Sequence, residues 1–348
     1  MLYQDTVDRL LSGKIDIGLN PTKRKYWPRF AFHFTDIDNA IDILNQGFLV
    51  SREYAKKYGV MRNDNASNVV ISQTNENVKS MVRLYFRPRT PTQYYNEGFQ
   101  TSYRCNQSDL QANCPVPVFF LFDLVSLLKC PDVQFSDRSL ASSGTSLMRT
   151  PTEFSRLPFD KIYHDSGMAG LDSLQRRKIT QHKHAEIVVP QKLDLSLLKL
   201  IYVRSIAEKT TLLEKLHADC NFRYDSLIQV GDESTFYMDR NFIQSVNMNT
   251  RYLHIKSNVK DPYPKEWGRE TKFAINPDSE NRYLNVVVNI SLPSGRMVSW
   301  PGSDHRAVLH NKMDFRWPNP LNNYQVEVLI DGHVAYYNHF EQIDDAPF

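Results

Sequence analysis

The stretch Thr180 to Pro190, TQHKHAEIVVP, gathers residue types that can do chemistry. Read as an extended strand, it places His182, His184 and Glu186 on one face and Ala185, Ile187 and Val189 on the other. Three readings fit. An H-x-H-x-E set can hold a metal, although the sequence shows no other ligand cluster. A polar strand face can simply meet water. A glutamate with basic neighbours can stabilise a developing cation or accept a proton. Composition does not choose among them. The basic neighbours are Arg176, Arg177, Lys178 and Lys183, either a loop that contacts phosphates or the solvated face of a helix.

A second candidate is the turn RPRTP, Arg87 to Pro91, which ends the apolar run MVRLYF. It can be a strand end whose exposed arginines only aid solubility. Each proline also forces the residue before it into an extended shape, so Arg87 and Thr90 are conformationally restricted. Arginines on a stiff backbone lose little entropy on gripping phosphate, which their planar forks bind in bidentate fashion. Tyr94 and Tyr95 follow and can stack on a ring, so the mix suits a nucleotide or a single-stranded nucleic acid. His33 lies on the apolar run FAFHF, where a lone histidine is more often a packed or capping residue than a catalyst.

Several elements must position these residues. A short amphipathic helix with Val7, Leu10 and Leu11 opens the chain, followed by the basic run Lys23 to Lys25. FAFHF reads as a strand. Thr35 then has N-cap chemistry for a helix through Ile37, Ile41 and Leu44 that stops at Gly47. Residues 51 to 80 are polar, with a short helix at Glu53 to Tyr58 and a strand at Val69 to Ser72. MVRLYF, VPVFFLFDL, FDKIYHD, AEIVV and LKLIYVRS read as further strands. Residues 1–205 therefore form an α+β domain rich in antiparallel sheet. A helix at Ala207 to His217 serves as the hinge. Beyond it, alternating runs such as RYLNVVVNISL and YQVEVLIDGHVAYYNHF make 206–348 a smaller β-sandwich.

Composition sets bounds on the rest. The chain has 348 residues, 41% hydrophobic and 23% charged, which suits two ordinary globular domains. No segment resembles a signal peptide or a membrane span, so the default compartment is the cytoplasm. Cys105, Cys114, Cys130 and Cys220 form no C-x-x-C pair. Net charge is +7 over residues 1–205 and −4 over the remainder, so any attraction for a polyanion belongs to the first part.

Taken in order, four stretches resemble the DarT-type ADP-ribosyltransferase toxins, which move ADP-ribose from NAD to bases of single-stranded DNA. These are FHFTDIDNAIDILNQGFLVSR, RLYFRPRTPTQYY, PVFFLFDLVSLLKCPDVQFSD and RRKITQHKHAEIVVP. The resemblance covers residues 27–205. It implies an ADP-ribosyltransferase-like split antiparallel sheet, with Glu186 as the catalytic glutamate. Two departures stand out. Thr92 occupies the place of the family's methionine after the second proline. Arg52 and Arg62 are both candidates for the arginine that grips NAD.

By the same resemblance His33 takes part in catalysis and, with Thr35, lines the NAD pocket. Arg87 and Arg89, or Arg52 or Arg62, offset the pyrophosphate charge. Arg176, Arg177, Lys178, Lys183 and Tyr94 meet the nucleic acid. NAD is a consumed substrate, no metal is required, and the partners are single-stranded DNA or RNA and an antitoxin protein, in a toxin–antitoxin or phage-defence setting. The competing functions are modification of a protein, binding without catalysis, and metal-dependent hydrolysis by His182, His184 and Glu186.

Overall fold

Phe119-Phe120-Leu121-Phe122 lies at the centre of the molecule, with no side chain more than 1% exposed. The computed structural model describes residues 2–59, 79–100, 113–142, 144–259, 284–302 and 305–342. Arg62, Cys105 and the strand expected at Val69 to Ser72 lie outside them.

Nine strands organise the first part: β1 (Phe30–Asp36), β2 (Phe48–Val50), β3 (Met81–Tyr85), β4 (Pro117–Asp123), β5 (Gln134–Phe135), β6 (Glu186–Pro190), β7 (Lys192–Asp194), β8 (Leu198–Val203) and β9 (Ile228–Val230). Seven form one sheet in the order β5-β6-β3-β1-β4-β8-β9, and β2 pairs with β7 apart from it. Neighbours in the large sheet are antiparallel except β8 and β9, which run parallel. Because β4 is covered on both faces, its aromatic run needs no polar alternation.

Helix α1 (Ile37–Gln46) follows β1 directly and ends at Gly47, whose φ of 79° is the left-handed conformation that glycine tolerates best. Its cap corrects the sequence reading. Asp36, not Thr35, accepts from the Asp38 amide, and its second oxygen accepts from Val116 N–H at 3.2 Å. β1 stays paired with β4 through Asp36, so the helix starts one residue later than the Thr35 pattern suggests. Thr35 is buried and accepts a hydrogen bond from Asn39.

FDKIYHD also departs from expectation. Phe159–Ile162 is a helical turn entered from Pro158, and Phe159, Ile162 and Tyr163 bury one face at helical spacing. Helix α2 (Pro91–Asn96) follows β3 in the chain, and helix α3 (Ser173–His182) precedes β6.

The large sheet does not end at residue 205. Helix α4 (Ile206–Lys215) leads on to β9, which supplies its last strand. The same helix packs on strands of the C-terminal part, where Thr211 accepts from Tyr337 N–H and Ser205 donates to Ile243 O at 2.6 Å. Arg204 and Glu208 form a fully buried ion pair beside this joint. Arg204 also donates to Pro115 O and lies 4.9 Å from the Phe242 ring centre.

Among the described residues, strands β10 (Ile243–Met248), β11 (Tyr252–Ser257), β12 (Asn285–Ser291), β13 (Met297–Trp300), β14 (Ala307–Val308), β15 (Lys312–Arg316), β16 (Asn323–Ile330) and β17 (His333–Glu341) follow. They make two antiparallel sheets, β10-β11-β15 and β13-β12-β16-β17, with β14 on β12. Strict alternation buries Tyr324, Val326, Val328 and Ile330 of β16 opposite Val286, Val288 and Ile290 of β12. The turn joining β16 to β17 has φ of 46° at Asp331 and 81° at Gly332, matching the right-handed twist of a tight hairpin.

Candidate active site

Glu186 begins β6 directly opposite Tyr85 of β3. Its side chain is 1% exposed, and both carboxylate oxygens meet one guanidinium: Arg83 donates from Nε to Oε2 at 2.7 Å and from Nη2 to Oε1 at 2.5 Å. The Leu140 N–H approaches Oε1 at 3.4 Å, and the Glu186 amide donates to the Ser136 hydroxyl. Burial alone would lower the Arg83 pKa, but the charge and hydrogen bonds of Glu186 raise it, so the guanidinium stays protonated. The Tyr85 hydroxyl is pushed up by burial and then by the Glu186 charge, and it stays neutral.

His33 on β1 reaches the backbone of the same arginine, with Nδ1 3.0 Å from Arg83 O. A carbonyl can only accept, so Nδ1 carries the proton. Burial lowers the imidazole pKa and leaves Nε2 as a free-electron-pair acceptor. Arg83 thus links His33 to Glu186, through its backbone on one side and its guanidinium on the other.

The RPRTP turn is braced rather than open. Arg87 is 1% exposed. Its guanidinium bonds Asp165 at 3.1 Å and the carbonyls of Pro88, Ile162 and His164, and it lies over the Trp27 ring. Asp165 also holds Lys23. Arg87, expected among the arginines that offset the pyrophosphate charge, has its guanidinium engaged by these protein partners. Arg89 sits at φ 57° in the left-handed region, donates to Glu233 O and lies 4.6 Å from the Tyr237 ring centre. Thr90 caps α2 in the extended shape that Pro91 imposes.

The H-x-H-x-E strand is also corrected, because α3 runs through His182 and β6 starts only at Glu186. His182 bonds Asp137 O, while His184 bonds Thr180 O and, through Nε2, the Thr92 hydroxyl at 3.2 Å. Among the described residues no group of His, Cys, Asp or Glu side chains is placed to hold a metal. Arg176, Arg177 and Lys178 are exposed on a capped helix rather than a loop, and α3 leads straight into Glu186. Lys183 is half-buried, and burial followed by the nearby Arg87 charge lowers its pKa to about 8.

Tyr94 on α2 is 47% exposed and lies in an alternating stack. The Arg240 guanidinium is 4.8 Å from the Tyr94 ring centre and 5.7 Å from that of Tyr237, on which Arg89 also lies. Arg52 opens the short helix Arg52–Lys57. A cavity of about 460 Å³ lined by Lys25, Tyr26, Tyr202 and Asp232 lies beside β8 and β9, at the other end of the sheet, and includes none of these residues.

Glu186, His33, Arg83 and Tyr85 therefore come together, with Thr35 two residues from His33. Arg83, Tyr85, Asp165, Tyr237 and Arg240 were not singled out in the sequence. Both Arg83 and Tyr85 lie in the stretch RLYFRPRTPTQYY, but their place beside Glu186 follows from the β3–β6 pairing.

A family model described as ssDNA thymidine ADP-ribosyltransferase, DarT, matches residues 32–237. Among solved structures, the chain is similar to Thermus sp. 2.9 DarT in complex with ADP-ribosylated ssDNA, at 18% identity and TM-score 0.47 over 60% of this chain and 97% of that one. It is similar to Thermus sp. 2.9 DarT in complex with NAD+, at 17% identity and TM-score 0.45 over 60% and 98%. It is also similar to Thermosipho africanus DarTG in complex with ADP-ribose, at 17% identity and TM-score 0.45 over 62% and 53%. No curated protein matches the chain.

Proposed function

This chain belongs to the DarT family of ssDNA thymidine ADP-ribosyltransferases and is an NAD-dependent ADP-ribosyltransferase; on that premise we propose that it modifies a base of single-stranded DNA, with Glu186 as the catalytic carboxylate. The observation that supports this role is a buried carboxylate held on strand β6 by the Arg83 guanidinium, opposite Tyr85, with His33 bonded to the Arg83 carbonyl.

In the reaction the bond from ribose C1 to the nicotinamide nitrogen breaks, and its electron pair leaves with nicotinamide. Positive charge builds on C1 and the ring oxygen, where the Glu186 carboxylate offsets it. A nitrogen of the base supplies the electron pair for the new bond to C1, and its proton passes to Glu186 and on to water. His33 Nε2 accepts a hydrogen bond from a ribose hydroxyl. Thr35 supports that strand end. Arg89 and Lys183 face the phosphates, with Arg52 and Arg62 as further candidates.

The strand crosses the exposed basic face of α3 and the Tyr94–Arg240–Tyr237 stack, where rings take bases and cations take phosphates. Residues 1–205, completed by β9, hold the transferase, and the later sheets are accessory. An enzyme that marks DNA bases endangers its own genome, so an antitoxin protein holds it in check.

The test is incubation with labelled NAD and thymidine-containing single-stranded DNA, duplex DNA, RNA or cell lysate. Label on single-stranded DNA that Glu186→Gln abolishes is the expected result. Label confined to RNA or protein overturns the substrate assignment.

A further inference from the structure

A carboxylate that is 1% exposed has little water around it, and a charge buried without a partner is costly. Arg83 removes that difficulty with a two-point contact, Nε to Oε2 and Nη2 to Oε1. Two-point contact also selects one rotamer, because a guanidinium fork and a carboxylate match in a single plane.

The strand register explains why this arginine reaches. Tyr85 is opposite Glu186, and Arg83 is opposite Val188, so Arg83 and Tyr85 share a face and Arg83 meets Glu186 on the diagonal. The His33 bond to Arg83 O fixes the backbone from the other side. The Arg83 side chain keeps 28% exposure at the edge of the site. A carboxylate has about four acceptor positions. Arg83 uses one on each oxygen and the Leu140 N–H approaches Oε1, which leaves a position on Oε2 for a ribose hydroxyl.

We propose that Arg83 is a positioning residue for the transfer reaction, holding the Glu186 carboxylate in one orientation by its two-point contact so that it meets the ribosyl cation. The proposal rests on Glu186 being the catalytic carboxylate.

The test compares Arg83→Met, Arg83→Lys, Arg83→Ala and Glu186→Gln in the full chain. Rates are measured with labelled NAD and a thymidine-containing single-stranded oligonucleotide, and melting curves establish folding. Arg83→Met is expected to lower kcat about a hundredfold while KM for NAD changes little, the scale of losing one preorganised electrostatic contact. Arg83→Lys keeps the charge without the fork and retains about a tenth of kcat, the loss of roughly one hydrogen bond to a charged group. Added millimolar guanidinium raises the kcat of Arg83→Ala, which a purely structural role would not produce. If Arg83→Met does not fold, the lysine variant decides, and wild-type kcat in it overturns the proposal. Wild-type or higher kcat in folded Arg83→Met, with Glu186→Gln inactive, overturns the positioning role alone. Transfer by Glu186→Gln at the wild-type rate overturns the catalytic reading as well.

Discussion

Thr92 Oγ1 lies 3.2 Å from His184 Nε2 and joins the helix after the RPRTP turn to the residue two places before Glu186. His184 Nδ1 donates to Thr180 O, so Nε2 is the acceptor and the Thr92 hydroxyl the donor. Burial lowers the His184 pKa and keeps the ring in that neutral form. The cationic turn and the segment leading into the glutamate are therefore joined by one hydrogen-bonded unit.

His33→Ala should raise KM for NAD about tenfold, the loss of one hydrogen bond of about 1.4 kcal/mol, and leave affinity for single-stranded DNA within a factor of two or so. Separate titrations of the two ligands check this. Equal losses in both would show that His33 only packs β1.

Reversing the exposed charges Arg176, Arg177 and Lys178 to glutamate should weaken strand binding at low salt. The slope of log affinity against log salt should fall by about 2, because three single-strand phosphate contacts release about 0.7 counterion each. Melting should hardly change, since all three side chains lie on the solvent face of α3. An unchanged slope removes α3 from the binding surface.

Arg87→Met should act on the fold rather than on NAD. It strips Asp165 of one partner and leaves the Ile162 and His164 carbonyls short of a donor, a loss of about 3 kcal/mol. Denaturant titration measures it. A variant that melts like wild type yet loses NAD affinity would return Arg87 to the phosphate site.

These results bear on how far the sequence could be read. β1, β3, β4, β6 and β8 were visible as aromatic and β-branched runs, and Glu186 came from the resemblance rather than from spacing. Asp36 was missed as a cap because β1 pairing extends through it. Phe159–Ile162 was misread because its four residues are too few for helical periodicity to outweigh aromatic content. Arg87 reads in the sequence as a phosphate ligand, and its burial is not legible there because its partners Ile162, His164 and Asp165 lie more than seventy residues away. Arg83 was passed over for the same reason: its meaning depends on strand register.

Stability should fall as pH rises from about 4.5 to about 7. Burial raises the Glu97 pKa from 4.5 to about 7, so the folded protein holds a proton that the unfolded chain has released. Glu97 disfavours the fold increasingly across that window, by about 3 kcal/mol once fully ionised, and Asp36, raised to about 7, adds in the same direction. Urea midpoints at pH 5, 6 and 7.5 should decline in wild type and decline less in Glu97→Gln. Parallel curves would show that another group sets the dependence.

A chain ending at Arg204 should fail to fold. It lacks Glu208, which pairs with buried Arg204, and it lacks α4 and β9. An unpaired buried guanidinium alone costs about 3–5 kcal/mol. Gel filtration and circular dichroism should show aggregated or disordered material, and a folded monomer would mean that the sheet closes without its last strand.

The parallel pairing of β9 with β8 also sets an order of events during synthesis. A ribosome that has released residues through Val203 has made Glu186, Arg83 and His33, but the β8 edge is still unpaired. That edge presents bare backbone groups to any passing strand until Ile228–Val230 emerges, an exposure that favours wrong pairing in the half-made chain. The large sheet is therefore complete only once the residues that follow helix α4 have emerged.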